Sequence, residues 1–233
     1  AEMKADVFAA RAIGAACAFA IDMGNATASK NWISQAAFLT PIAKAFGTDI
    51  GIEVSQTGIQ VHGGMGFIEE TGASQFLRDV RVTAIYEGTN GIQAMDLVGR
   101  KIITDSGLGA NELNEDMREF AMNPMLTEMV SGSQLKRFIS AIEDFEKTVS
   151  IILNHSDNKE LVGKLAFDTL MMAGTIIASW QMLLSLEKAS NAFNNKSLSS
   201  EFFNEKSETV SHFMDFILPR YFSNFATITA ITS

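Results

Sequence analysis

The stretch of sequence that decides the fold runs from Gln60 to Gln93 and reads QVHGGMGFIEETGASQFLRDVRVTAIYEGTNGIQ. A glycine-rich turn at its start and a carboxylate-bearing turn near its end are separated by a segment whose apolar residues recur at three- and four-residue spacing. That spacing is typical of a helix with one apolar face, so the segment is predicted to be helical. The two turns are therefore short connections between helices, and they are the first candidates for function.

The carboxylate of the second turn belongs to Glu87. It stands between a helix predicted to end near Tyr86 and another predicted to begin at Thr89 or Asn90. Short backbone, rather than a helix, would hold this side chain in place. The residues alone leave two interpretations open: Glu87 is a functional base, or it is a surface carboxylate in an interhelical turn.

Two glycines follow this carboxylate. Gly88 removes a Cβ where a ligand could approach closely, and Gly91 removes another from the first turn of the next helix, where free N–H groups favour an anion. Asn90 with Gln93 three residues later is close to a capping box, with Asn in place of the usual Ser or Thr. The turn is thus predicted to offer both a close approach and an anion-binding helix start.

The first turn reads His62-Gly63-Gly64-Met65-Gly66 and ends a predicted helix. Its main-chain N–H groups could face a pyrophosphate, but a glycine stop after an ordinary helix has the same sequence. Both interpretations stay open on the residues alone.

The motifs QVHGGMGFIEE and YEGTNGIQ, with LRDVRV between them, resemble the C-terminal helical domain of flavin-dependent acyl-CoA dehydrogenases. The resemblance covers roughly the first hundred residues, and both motifs stand in the family's order at the family's distance. It implies an all-α fold. A partial C-terminal helical domain over residues 1–104 would be followed by a linker with a short helix over 105–131 and a second helical bundle over 132–233.

The resemblance also implies roles for residues of both turns. Glu87 would be the base that removes the α-proton of an acyl-CoA thioester while FAD accepts hydride from the β-carbon. The backbone of Glu87 and Gly88 would contact the substrate. The residues expected to contact FAD, often the FAD of a neighbouring subunit, are Gln60, Val61, His62, Gly63, Gly64, Thr89, Asn90 and Gly91. The implied partners are an acyl-CoA substrate, an electron-transfer flavoprotein or similar acceptor, and further copies of the chain in a homodimer or homotetramer.

The chain also departs from the family pattern. Family members carry an N-terminal helical region and a middle β domain, and neither is present here, nor is the first helix of the C-terminal bundle. The chain is therefore expected to be a piece of a longer enzyme, inactive by itself and able to bind FAD weakly at most. Its extension is similar to that of the longer family members related to 3-methylmercaptopropionyl-CoA dehydrogenase.

Composition excludes several other classes of protein. The 233 residues include 27 acidic and 18 basic ones, and the net charge of −9 argues against nucleic acid as a partner. Cys17 is the single cysteine, so no disulfide framework and no cysteine-rich metal site can be written. No metal ligand set stands out, no targeting signal opens the chain, and a cytoplasmic location is expected.

Helical periodicity extends over the rest of the chain. The first helix is predicted from Ala1 to about Ser29, and a connection from Asn25 to Ser34 leads to a helix that starts at Thr40-Pro41 and ends at His62. Beyond the linker, three helices are predicted over residues 135–152, 161–193 and 201–230, the last with a possible kink at Pro219.

One segment of the extension, residues 169–186, carries no charge over 18 residues and reaches the lower limit for a membrane span. Polar residues interrupt it and no basic anchors flank it, so a buried helix without membrane insertion is expected. Two alternative functions also stay open: an acyl-CoA oxidase with the same base and flavin, and a non-catalytic helical assembly module.

Overall fold

The computed structural model describes residues 1–232, of which no residue lies in a strand, and 87% of the structure is helical. The all-α expectation is confirmed. The first helices are α1 (Glu2–Thr27), α2 (Lys30–Val61), α3 (Gly64–Phe67), α4 (Ala73–Arg81) and α5 (Asn90–Asp96). They are followed by α6 (Leu108–Ala121), α7 (Leu126–Met129), α8 (Gly132–Asn154), α9 (Lys159–Asn194), α10 (Ser200–His212) and α11 (Tyr221–Thr232).

The pair α1 and α2 forms the frame on which both turns lie. Only two residues separate the helices, and Ala28 turns the chain with a φ of 52°. The prediction of a connection up to Ser34 and a helix start at Thr40-Pro41 is therefore wrong. The helix begins ten residues earlier and continues through Pro41, which is buried. A proline inside a helix costs about 3 kcal/mol, and the burial of Phe38 in the preceding turn offsets part of that cost.

The predicted helix after the second turn is present, with a change of winding. From Leu97 to Ile103 the chain forms π-helical turns, and both Leu97 and Ile102 are fully buried. A wider turn places one extra residue in each repeat and so shifts which side chains face the core. The π-helical segment ends at Ile103, and Gly107, with a φ of 76°, precedes α6.

Helix α9 lies at the centre of the molecule, and the expectation of a buried helix over residues 169–186 is confirmed. It packs on α1, α2, α8, α10 and α11. At Gly174 a Cβ would lie 2.5 Å from the ring of Phe46 on α2, so glycine permits this close contact. By length and composition, α1 and α9 could each cross a membrane. In α9, however, 67% of the most apolar 18-residue stretch is buried within the protein.

The C-terminal helices confirm the predicted periodicity and the kink. Helix α8 starts with a full capping box between Ser131 and Gln134. After α10 the chain passes through π-helical turns at Phe213–Ile217 and a 3₁₀ turn that contains Pro219, and then continues as α11.

One hydrophobic core runs through the described residues and joins both ends of the chain. Helix α6 contributes Leu113 and Met117 to it, and its Arg118 pairs with Glu146 of α8. The short helix predicted for the linker is therefore present and packed against its neighbours. The division of the chain into three parts stays a prediction.

Candidate active site

The turn that carries Glu87 is held in a left-handed backbone conformation. Glu87 has a φ of 52° and Gly88 a φ of 89°, the values of the central pair of a type I′ turn. A non-glycine residue in this region costs roughly 1–2 kcal/mol, so the surrounding structure must hold it there. The side chain of Glu87 is exposed and makes no hydrogen bond or ion pair with residues 1–232. A Cβ on Gly88 would lie 2.9 Å from Nε2 of Gln93, so glycine is needed here for both space and conformation.

Thr89, and not Asn90, caps the helix after this turn. The hydroxyl of Thr89 accepts a hydrogen bond from the backbone N–H of Ile92 at 3.3 Å. The predicted capping box of Asn90 and Gln93 is therefore wrong. Thr89 comes one residue earlier and already supplies the capping oxygen, which leaves the Asn90 side chain free to turn into the protein.

Asn90 ties the turn to α2. Its Nδ2 donates hydrogen bonds to Oδ1 of Asp49 at 2.7 Å and to the hydroxyl of Thr48 at 2.9 Å, and its Oδ1 accepts one from Nζ of Lys44 at 2.9 Å. Burial raises the pKa of Asp49, and the hydrogen bond from Asn90 opposes that rise. With the side chain of Asn90 used in this way, only its backbone is available to a cofactor.

The first glycine turn follows the end of α2 as predicted. Gly63 has a φ of 60°. Gly66 is buried, and a Cβ there would lie 2.3 Å from the carbonyl oxygen of Ile59. The N–H groups of Gly63 and Gly66 bond to carbonyls within the turn. The predicted cofactor residues Gln60, Val61, His62, Gly63 and Gly64 are all exposed and contiguous.

The two turns lie at different heights along α2. Asp49 contacts the second turn through Asn90, and the first turn begins at Gln60. Eleven residues of α-helix span about 17 Å. The structure therefore does not bring the two groups of predicted site residues into one pocket of this chain. The first group and Glu87 and Thr89 of the second face solvent separately, whereas Asn90 is buried.

An exposed apolar surface surrounds both turns. Residues 60–95 contain ten of the 23 large hydrophobic side chains that are exposed in residues 1–232. The most exposed of these ten side chains are those of Phe67 at 84%, Val61 at 73% and Phe76 at 72%. Such concentrations mark surfaces that another molecule or another part of the protein covers. The segment with both motifs thus also holds a large share of the exposed large hydrophobic side chains of residues 1–232.

Two charged positions escaped the sequence analysis. Asp6 is only 2% exposed on the inner face of α1, and burial, opposed by Arg220, raises its pKa to about 6. The sequence offered one indication of this burial, because Asp6 lies three residues before Ala9 and so shares its face of the helix, and Ala9 is buried. Lys206 of α10 contacts the ring of Phe8 on α1, a contact between distant segments that periodicity does not reveal.

Two family models match the chain. One described as the C-terminal domain of acyl-CoA dehydrogenase matches residues 1–102, and one described as acetyl-CoA dehydrogenase C-terminal like matches residues 113–233. The second covers more than half of the chain. The chain therefore belongs to the acyl-CoA dehydrogenase family, of which it carries C-terminal helical regions.

Among individual relatives, 3-methylmercaptopropionyl-CoA dehydrogenase of Ruegeria pomeroyi is 37% identical over 195 residues, which cover 79% of this chain and 32% of that enzyme. The human very long-chain specific acyl-CoA dehydrogenase of mitochondria is 35% identical over 96 residues, 41% of this chain and 14% of that enzyme. The chain thus spans about a third of the length of the first relative and less of the second. The resemblance to the long members is confirmed.

Solved structures agree on the fold. The acyl-CoA dehydrogenase of Bacillus anthracis complexed with FAD matches with a TM-score of 0.70 at 19% identity, over 99% of this chain and 40% of that one. Caenorhabditis elegans ACDH-11 in complex with C11-CoA matches with a TM-score of 0.70 at 17% identity, over 92% of this chain and 34% of that one.

Proposed function

We propose that this chain is the C-terminal part of an FAD-dependent acyl-CoA dehydrogenase, in which Glu87 removes the α-proton of an acyl-CoA thioester. The observation that carries the proposal is the turn itself. A lone carboxylate in left-handed backbone, followed by a glycine that nothing larger could replace, is fixed by the Asn90 anchor to α2. An ordinary surface Glu does not require this backbone.

Glu87 has the properties of a general base whose surroundings would be completed by the substrate and the rest of the longer protein. Its carboxylate has no partner in the described chain, so no internal hydrogen bond has to break before it accepts a proton. Carboxylates become stronger bases when water is removed from them. Exposed Tyr86 and Ile92 beside the turn provide apolar surface that a bound acyl chain and the remainder of the longer protein would cover.

The first turn fits a group with a diphosphate. The bonds within the turn leave the N–H groups of Gly64 and Met65 without a backbone acceptor in residues 1–232. Free N–H groups in a glycine turn suit phosphate oxygens. Gln60, Val61, His62, Gly63 and Gly64 would hold FAD there, and the backbone of Thr89, Asn90 and Gly91 would do so at the second turn. FAD supplies the hydride acceptor when bound.

The distance between the turns favours an assembly of more than one copy. One FAD next to Glu87 and another at the first turn, about 17 Å along α2, is the arrangement that a homodimer or homotetramer with shared sites requires. Exposed Phe67 and Phe76 supply apolar area for that contact. An electron-transfer flavoprotein or similar protein is the proposed acceptor, and a cytoplasmic location stays a prediction from the sequence.

The test uses the complete polypeptide with Glu87→Gln, and Glu70→Gln as the control at an exposed acid of the first motif to which no role is assigned. The Gln variant is expected to retain its flavin spectrum and to lose at least a hundredfold of acyl-CoA-dependent dye reduction, the range of general-base contributions. The control is expected to keep normal turnover. Near-normal turnover of Glu87→Gln would remove Glu87 from this role.

Two further measurements separate the alternatives. Hydrogen peroxide formed in step with acyl-CoA consumption would indicate an oxidase, whereas reduced flavin that waits for an acceptor supports the dehydrogenase. The purified 233-residue chain is expected to be colourless and inactive because both turns are exposed in it. A stoichiometric flavin spectrum of this chain would contradict that expectation.

A further inference from the structure

A long groove runs along α1, away from Glu87 and both glycine turns. It consists of two adjacent cavities of about 560 Å³ and 650 Å³ that share the wall residues Phe8, Ala12, Ala15 and Lys206. Alanines on this face of α1 form the floor of the groove, and their short side chains leave space above the helix. Side chains of α9 and α10 form the walls. The combined space suits a ligand of small-molecule size.

One end of the groove is basic, although the protein as a whole is acidic. Lys4, Arg11 and Lys206 line it together with a single acid, Glu205. Lys4 is paired with Glu205. Within residues 1–232, Arg11 and Lys206 have no ion-pair partner. Two unpaired cations therefore face the same cavity.

Lys206 is held at the waist of the groove in partly apolar surroundings. Its Nζ lies 3.6 Å from the centroid of the Phe8 ring and 5.7 Å from that of Phe202. Burial lowers the pKa of Lys206, and the neighbouring charge of Lys4 lowers it further. Contact with the rings compensates part of the lost hydration. An anion beside this ammonium group would compensate the remainder.

The other end of the groove is mainly aromatic and aliphatic. Both tryptophans of the protein, Trp32 on α2 and Trp180 on α9, line it together with Phe19 of α1. Leu39, Leu113 and Leu184 add aliphatic lining, and the polar side chains at this end are those of Gln35, Asp116, Gln181, Ser185 and Lys188, of which Gln35 donates a hydrogen bond to Asp116. An elongated apolar chain would therefore be covered along its length from the waist onward.

We propose that this groove binds one long-chain fatty acid as its carboxylate, with the carboxylate between Lys206 and Arg11 and the alkyl chain over Trp180 and Trp32. Two free cations match one carboxylate, whereas the several phosphate charges of a coenzyme A ester would exceed them. No residue of the groove belongs to the proposed acyl-CoA site. The two proposals therefore stand or fall independently.

The test uses the intrinsic fluorescence of the 233-residue chain, because both tryptophans lie in the groove and no other residue emits at their wavelength. Oleate is titrated below its micelle concentration, with oleyl alcohol as the uncharged probe. A saturable change at about one oleate per chain is expected, and oleyl alcohol is expected to bind roughly tenfold or more weakly.

Two pairs of variants locate the site. Lys206→Met is expected to weaken oleate binding roughly tenfold, with exposed Lys159→Met as the control. Ala15→Phe fills the floor of the groove and is expected to abolish binding, with Ala18→Phe as the control at an exposed position of α1 outside it. Circular dichroism verifies that each variant is folded.

Several results would overturn the proposal. They are the absence of a saturable response in the parent, equal binding of oleate and oleyl alcohol, and undiminished binding by Ala15→Phe. Sedimentation velocity supplies another: if Ala15→Phe dissociates a dimer of the parent chain, the groove is filled by a second copy and not by a fatty acid.

Discussion

Asp6 gives the most direct test of the packing between the two ends of the chain. It lies on the buried face of α1 near Glu53 of α2, and Arg220 before α11 pairs with both Glu53 and Glu2. The Oδ1 atom of Asp6 has no hydrogen-bond partner among the described residues. The carboxylate of Asp6 is therefore desolvated, and the neighbouring cation, Arg220, already forms ion pairs with Glu2 and Glu53.

The magnitude follows from the displaced titration. Burial, as the largest cause, raises the pKa of Asp6 from 3.8 to about 6, with Arg220 opposing and Glu53 and Glu2 adding to the rise. The folded protein therefore binds more protons than the unfolded chain between these values, so the free energy of unfolding falls as pH rises through this window. About two pKa units correspond to about 3 kcal/mol lost above pH 6, of which roughly 1.5 kcal/mol develops between pH 5 and pH 8.

The assay compares Asp6→Asn with the parent chain by urea unfolding, followed by circular dichroism, at pH 5 and pH 8. The amide cannot ionise, so the stability of the variant relative to the parent is expected to rise by roughly 1.5 kcal/mol from the lower to the higher pH. Asp22→Asn, at an exposed position of the same helix, is the control and should show no such change. An equal difference at both pH values for Asp6→Asn would refute the reasoning, because it would mean that the carboxylate is not desolvated.

Two further predictions concern packing, each measured by urea unfolding. Gly174→Ala places a methyl group against the ring of Phe46 on α2 and should destabilise the protein by about 1–3 kcal/mol. The control Gly163→Ala, at an exposed position of the same helix, should stabilise the protein by about 0.5–1 kcal/mol. Stabilisation by both variants would contradict the close contact at Gly174. Asn90→Ala removes the hydrogen-bond partner of the half-buried Asp49 and should lower the free energy of unfolding by about 1–3 kcal/mol. The control Gln93→Ala should lower it by less. In Asn90→Ala, faster hydrogen exchange is also expected at the start of α5. A loss no greater than that of Gln93→Ala would show that the anchor is not needed.

Local signals identified the helices but not all of their bounds. The amphipathic pattern of α8 and the uncharged run of α9 were sufficient, because an apolar face of that length must be buried whatever covers it. Pro41 misled the prediction of α2. Proline near Thr40 has the local sequence of a helix start, and only the packing of Phe38 one turn earlier extends the helix past it.

The capping residue at the second turn shows the same limit. Thr89 and Asn90 both have side chains that cap helices, and the sequence favoured Asn90 because Gln93 stands three residues after it. Tertiary structure decided between them, because Asp49 and Lys44 of α2 occupy the hydrogen-bonding groups of Asn90.

The sequence by itself determined the all-helical class, the order of the long helices, the positions of the two glycine turns and the family resemblance. These depend on residue type and spacing along the chain. Only tertiary structure decided that the turns are about 17 Å apart along α2, that Asp6 is dehydrated, and that Lys206 faces the ring of Phe8 on α1. Each of these depends on atoms brought together from distant positions, and helical periodicity specifies which face is buried without specifying what it meets.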